Sequence, residues 1–226
     1  MKLLNPGYES EEVGGSLYYN GTSGNCYSGR NNATTTCDFT SSGLKSNLKS
    51  LIGDTLWNTG SNGTNDFESS SDSLSSNFYT YERSNDNGKI CTSGKWEYCT
   101  DTVARTITWQ GKVGLMYPSD YGYATSGGST INRSSCLAQV LYNWSSSSYN
   151  ECKCNDWLYD SSNWQGTISP WANSTMAFGV FGVRSSGDVY SDFASRAGLV
   201  RPSIYLLPST MILSGEGTPE NPYQIG

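Results

Sequence analysis

Seven cysteines and no histidine are the first chemical facts of this chain. Without an imidazole there is no Ser-His-Asp or Cys-His nucleophile, no His-ligated zinc and no haem-attachment motif. The cysteines stand at 26, 37, 91, 99, 136, 152 and 154, and none makes the C-x-x-C spacing of a structural zinc site. They read instead as local disulfide loops. Cys26 and Cys37 bracket a Gly/Asn/Thr loop, and Cys91 and Cys99 bracket TSGKWEY. Cys136 with Cys152 or Cys154 brackets a short helix and a Ser-rich loop. Three local pairs with one cysteine left over imply an oxidising, extracellular setting. Each closed loop of this size contributes roughly 2–4 kcal/mol.

The second group of chemically able residues is aromatic and acidic. Trp157, Trp164 and Trp171 recur close together, beside Asp156, Tyr159 and Asp160. Such rings stack on sugar faces or peptide side chains, while Asp and Asn bind hydroxyls. The polar face of a later hairpin, with Arg184, Tyr190 and Asp192, would extend that surface. Asp156, Trp157, Tyr159, Trp164, Trp171, Arg184, Tyr190 and Asp192 are therefore the candidate ligand-binding residues. The competing use of the tryptophans is core packing, where large aromatics usually go. Asp120, Asp156, Asp160, Asp188 and Asp192 could in pairs serve as acid and base in glycoside hydrolysis, but their spacing selects no pair.

These residues sit in a chain of 226, long enough for one domain with a real core. Charged residues make up only 15%, and the net charge of −6 offers no basic patch for a nucleic acid. Ser, Asn, Thr, Gly and Tyr replace them, with 16 Tyr and 7 Trp. That composition is common in exported proteins and binding surfaces, where Tyr gives contact area at low entropy cost. No stretch is long and apolar enough to span a bilayer. Met1-Lys2-Leu3-Leu4 begins like a signal peptide, but Asn5-Pro6-Gly7 ends the apolar run at once. The expectation is a fragment: Met1 internal, with the export signal and the first part of the domain upstream.

The elements that must position these residues follow from periodicity. The stretch Met176–Leu207 organises the rest. It reads as a near-continuous apolar strand to Val183, a turn at Arg184–Gly187, an alternating strand over Asp188–Phe193 and a last strand over Leu199–Leu207. Asp188, Tyr190 and Asp192 fall on one face and Val189 and Phe193 on the other. Pro202 cannot donate to a ladder, so its strand should lie at an edge or follow a bulge. Leu44, Leu48, Leu51, Ile52 and Leu56 form one helical stripe, capped by Ser41 or Ser42 and ending near Gly60. Leu74, Phe78 and Tyr81 suggest a shorter helix to about Glu82, and Pro118–Asp120 can start another over Tyr121–Ala124. Leu137, Val140, Leu141 and Trp144 suggest one behind Ser134/Ser135. Short strands are expected at 16–19, 102–109, 113–117 and 210–213, short strands or extended segments at 157–159 and 167–169, and 214–226 reads as a turn-rich tail. A few helices with a C-terminal antiparallel sheet make the chain α+β.

Several phrases then carry a resemblance: Lys112-Val-Gly-Leu-Met-Tyr-Pro-Ser-Asp-Tyr-Gly-Tyr123, Asn155-Asp-Trp-Leu-Tyr159, Thr167-Ile-Ser-Pro170, Val200-Arg-Pro-Ser-Ile-Tyr-Leu206 and the GEGTPENPYQI stretch starting at Gly215. Together they resemble a family of exported proteins of gut Firmicutes, some pilin-like at the N-terminus. That family has no settled activity. Its domain is similar to the C-type-lectin-like fold shared with formylglycine-generating enzymes and retroelement-diversified variable proteins. The resemblance implies one lectin-like domain over 1–226, lacking its N-terminal part, with the last hairpin and strand presenting a variable face. It implies Asn in relatives at Cys154, which leaves Cys152 to pair with Cys136. It brings three functional expectations. The first is a non-catalytic adhesion module for a cell-surface glycan or protein, and the second a pilin-like filament subunit. The third is an enzyme of the formylglycine-generating type holding copper on a cysteine pair, for which Cys152-x-Cys154 is the only close pair. Lectin-like folds also recruit calcium, for which Asp156, Asp160 and nearby Asn residues would supply oxygens. No other cofactor is implied.

Overall fold

The computed structural model describes residues 46–58, 68–83, 108–171, 179–193, 198–218 and 221–226. The expected Cys26–Cys37 and Cys91–Cys99 pairs, the strand expected at 16–19 and the start of the one expected at 102–109 lie outside these residues. Within them the chain is α+β. Five short helices are described: α1 (Ser46–Lys49), α2 (Ser75–Glu82), α3 (Pro118–Ala124), α4 (Arg133–Leu137) and α5 (Asn150–Cys154). The strands of the main sheet are β4 (Gln165–Pro170), β5 (Gly179–Val183), β6 (Val189–Phe193) and β7 (Leu199–Val200), in the order β6-β5-β4-β7. β5 runs antiparallel to both neighbours, while β7 lies parallel to β4. Two-stranded ribbons pair β1 (Thr55–Asn58) with β2 (Thr108–Gly111), β3 (Val113–Leu115) with β8 (Pro202–Ile204), and β9 (Ile212–Ser214) with β10 (Gln224–Ile225).

The hairpin forms where the alternation places it. Gly187, at φ +91°, supplies the left-handed residue of the β5–β6 turn. Pro202 explains a break in the last strand. The chain runs beside β4 as β7, leaves that sheet at Arg201, and restarts at Pro202 as β8 against Leu115 of β3. Arg201 thus sits where the backbone passes from one sheet to the other, and its carbonyl accepts the Met116 N–H at 3.1 Å.

The helical stripe expected from Leu44 to Leu56 is not one helix. Leu44 and the expected caps Ser41 and Ser42 lie outside the described residues; among these α1 covers Ser46–Lys49, and Leu56 lies on β1. Gly53 and Asp54 interrupt the stripe, and antiparallel pairing with Thr108–Gly111 takes the following residues. Leu48 and Ile52 still bury together, in a small cluster with Val113. The helix expected behind Ser134/Ser135 forms earlier, over Arg133–Leu137. Asn132 caps it by accepting the Ser135 N–H at 2.8 Å, and Leu141–Ser145 continues as a 3₁₀ turn. Where a strand or extended segment is expected at 157–159, Trp157 and Leu158 form a turn. Asp188 lies fully buried, and so does its neighbour Val189. Arg184 and Ser186 ligate its carboxylate at the turn, before the alternation of β6 begins.

The main core joins the helices to the hairpin through Phe78, Met116, Tyr121, Leu141, Trp144, Phe181, Val183 and Val189, with the Cys136–Cys152 disulfide inside it. Phe78 meets Phe181 edge-on at 5.1 Å between ring centroids. The Tyr121 hydroxyl donates to the Gly187 carbonyl at 2.7 Å, fixing α3 to the hairpin turn.

Candidate functional site

A half-open cleft of about 640 Å³ lies between α3, the loop after α5 and the crossover from β7 to β8. Met116, Asp120, Tyr123 and Ala124 form one wall, Trp157 and Leu158 the second, and Arg201, Pro202 and Ser203 the third. Each wall is held by identifiable local chemistry. Pro118 starts α3, and the Asp120 carboxylate accepts the Tyr117 N–H at 2.9 Å, covering a donor at the helix entrance. At its exit, Arg133 donates to the carbonyls of Thr125 (3.0 Å) and Tyr123 (2.9 Å). The second wall is tied to α3 by a bridge between Thr125 and Asp156, by Ser126 N–H on the Asn155 carbonyl, and by the Thr125 hydroxyl on the Cys152 carbonyl at 2.6 Å. The Cys136–Cys152 bond anchors α5, from which that wall springs.

Trp157 stands 74% exposed on the rim, an unusual place for so large an apolar ring. Directly before it, Asp156 is 95% buried (5% exposed). One Asp156 oxygen accepts the Leu158 N–H at 2.8 Å, and the other has no hydrogen-bond partner. Burial pushes its pKa up to about 8, against the pull of backbone N–H groups and of Arg201. Arg201 donates from Nε to Gln165 Oε1 at 2.7 Å, while its Nη2 lies 4.0 Å from Asp160. The Oδ1 of Asp160 accepts the Ser162 hydroxyl and N–H, and these hydrogen bonds hold its carboxyl below the usual range. Asp120 faces Arg83 at 3.5 Å. Arg83 also covers the rings of Tyr79 and Tyr117, and pairs with the buried Glu82. Glu82 accepts the Ser119 N–H and hydroxyl, and burial pushes it up to about 8.

The remaining candidate residues fall elsewhere. Trp164 lies half-buried on a bed of glycine: a Cβ at Gly182 would come within 2.3 Å of its ring and one at Gly198 within 2.4 Å. Its buried indole N–H has no partner. Trp171 packs against the main core. Tyr159 does too, and its hydroxyl donates to the Ser185 carbonyl at 2.7 Å. Arg184 pairs with buried Asp188 and lies over Tyr190, at 4.5 Å from the ring, and over Tyr142. Asp192 sits on β6. Of the eight candidates, the cleft brings together Trp157 on its rim and Asp156 beneath it; Arg201, Asp120, Tyr123 and Met116 complete it. The phrases Lys112–Tyr123 and Val200–Leu206 contain all four, but no spacing rule singles them out. They meet only because the chain changes sheets at Arg201.

Cys154 carries an exposed thiol, and Cys152 is bonded to Cys136, so Cys152-x-Cys154 does not present two thiols. Among the described residues no three acidic or sulfur side chains gather as a metal site, and Asp156 and Asp160 turn to the separate partners already given. No helix among them is long and apolar enough to cross a membrane. No family model matches the chain, and neither a curated protein nor a solved structure shows significant similarity to it.

Proposed function

We propose that this chain is a non-catalytic binding module of an exported bacterial protein, of C-type-lectin-like architecture, working in adhesion at the cell surface. Its ligand site is the cleft under Trp157. The observation that carries the reading is the bare indole of Trp157 on the rim of a cleft whose walls are tied down by a disulfide and a backbone bridge. An exposed ring on a rigid support gives contact area at little ordering cost, which suits recognition of a surface glycan or protein. The disulfide and the low charge density support an extracellular location.

A combined glycan and peptide array tests this, with Trp157→Ala beside the native chain. Retention of specific spots by the native chain and their loss from the variant is the expected pattern. Spots retained equally by both would move the site away from the cleft.

A second reading, the pilin-like subunit, has one feature in its favour. Ile212 and Leu213 on β9, Met211 just before it and Tyr223 beside β10 leave an apolar ribbon exposed. Filaments or concentration-dependent oligomers by light scattering, dispersed by Ile212→Lys, would favour assembly over adhesion.

A further inference from the structure

The polar atoms around Arg201 are unevenly satisfied. Among the described residues its guanidinium makes one hydrogen bond, from Nε to Gln165, and its contact with Asp160 is too long to be another. The end-on edge of the group, Nη1 with Nη2, has no hydrogen-bond partner among the described residues. Gln165 is fully buried, and its own amide nitrogen also lacks a partner. Beside them is the unpartnered oxygen of Asp156. Two buried polar atoms without a partner, Gln165 Nε2 and Asp156 Oδ2, thus lie by an arginine whose side chain is 18% exposed. The apolar part of the lining (Met116, Ala124, Leu158, Pro202) offers none of them a partner.

We propose, resting on the cleft reading above, that the cleft takes a carboxylated sugar, with the carboxylate on the end-on edge of Arg201 and the ring against Trp157. Two parallel N–H donors on a planar group match the two oxygens of a carboxylate, a match that a lysine would not reproduce. Gln165 acts as a positioning residue: by holding Nε it fixes the plane of the guanidinium. Trp157 and Tyr123, both exposed on the lining, offer flat faces for the C–H side of a pyranose. Asp120, facing Arg83, can accept a ring hydroxyl. The net charge of −6 opposes an acidic ligand at long range, but screening confines that repulsion to about 8 Å at physiological salt. Asp160 Oδ2 stands 4.0 Å from Nη2, beyond hydrogen-bond reach, and Ser162 holds the other oxygen, Oδ1.

Saturation-transfer NMR with three probes decides the matter: glucuronate, glucose, and an N-acetylated dipeptide with a free C-terminal carboxylate. The native chain should bind glucuronate at least about tenfold more tightly than glucose, a difference of about 1.4 kcal/mol. Arg201→Gln should erase the preference, and Arg201→Lys should restore only part of it. Trp157→Ala should weaken both sugars. Equal binding of glucose and glucuronate, both lost in Trp157→Ala, would overturn the carboxylate assignment and leave the cleft reading standing. A response to the dipeptide but not to glucuronate would replace the sugar by a peptide carboxylate and overturn the proposal. Binding of any probe that survives Trp157→Ala unchanged, or no binding of any, would sink the cleft assignment as well. The comparison of the two sugars on the native chain needs no variant, so it stands even if Arg201→Gln fails to fold.

Discussion

Trp157 and Trp164 are seven residues apart and have opposite surroundings. Trp157 follows a turn, stands on the rim of the cleft and touches few neighbours; Trp164 lies flat where β4, β5 and the start of β7 converge, against Gly166, Gly182 and Gly198. The difference lies in their partners. Glycine opposite a ring on adjacent strands leaves a slot the shape of an indole, and filling it removes apolar area from water. No such slot faces Trp157. Its loop is held instead by Asp156 and Thr125 from below. Aromatic residues of one type in one short stretch therefore divide into packing and presentation according to what lies across the fold.

The largest effect that could break this division is at the cradle. Trp164→Ala should cost about 3–5 kcal/mol, measured by urea denaturation, and Gly182→Val should cost about 1–3 kcal/mol because its Cβ would overlap the ring. Trp157→Ala, by contrast, should stay within about 0.5 kcal/mol of the native chain. Comparable losses from Trp157→Ala and Trp164→Ala would mean that Trp157 is a packing residue and that the cleft reading is misplaced.

Half of that cradle was open to sequence reasoning. The Gly-rich run from Gly179 to Gly187 was readable as a strand and turn, and Gly187 as a residue of positive φ. What periodicity does not carry is which distant ring lies on Gly182 or Gly198, because that follows from the parallel pairing of β4 with β7. The same limit applies to the cleft. Arg201 and Asp120 lie 81 residues apart, on a sheet crossover and a helix, and converge only in three dimensions. Local signals served where the element was local: Pro118 at the start of α3, and the α2 positions Phe78 and Tyr81. They misled from Leu48 to Leu56, where positions that share a helical phase are parted by Gly53 and strand pairing, Leu48 on α1 and Leu56 on β1.

The second test concerns what holds the two regions. The Cys136–Cys152 bond closes a separation of 16 residues on the cleft side, a loop worth about 3 kcal/mol in the chain-entropy account. Replacing both cysteines by alanine should lower stability by about that amount. Hydrogen exchange should speed first in α4, α5 and the Asp156–Leu158 turn, with β4 and β5 slower to respond. Cys154→Ser, removing an exposed thiol, should change neither. Uniform loss of protection across both regions would show the disulfide to be a support of the whole core rather than of the cleft wall.

The smallest effect, and the one that separates the regions most sharply, is the response to pH. Asp156 beneath the cleft is pushed from 3.8 to about 8 by burial, and Glu82 under α3 from 4.5 to about 8 for the same reason. Both are acids that keep a proton in the folded chain that the unfolded chain releases. Their contribution is therefore fully present below pH 4 and is lost progressively as pH rises from about 4 to about 8. Thermal melts should show stability falling across that window. Asp156→Asn keeps the acceptor for the Leu158 N–H and cannot ionise, so it should flatten part of the slope and gain about 2–4 °C on the native chain at pH 8 for each kcal/mol relieved. Glu82→Gln should flatten the remainder, while Trp164→Ala should lower the melting temperature at every pH and leave the slope intact. If Asp156→Asn kept the native slope, the carboxyl would be ionised in the folded protein, with Arg201 as its counter-ion. The donors of Arg201 would then be engaged from within, and the cleft would lose its free cationic edge.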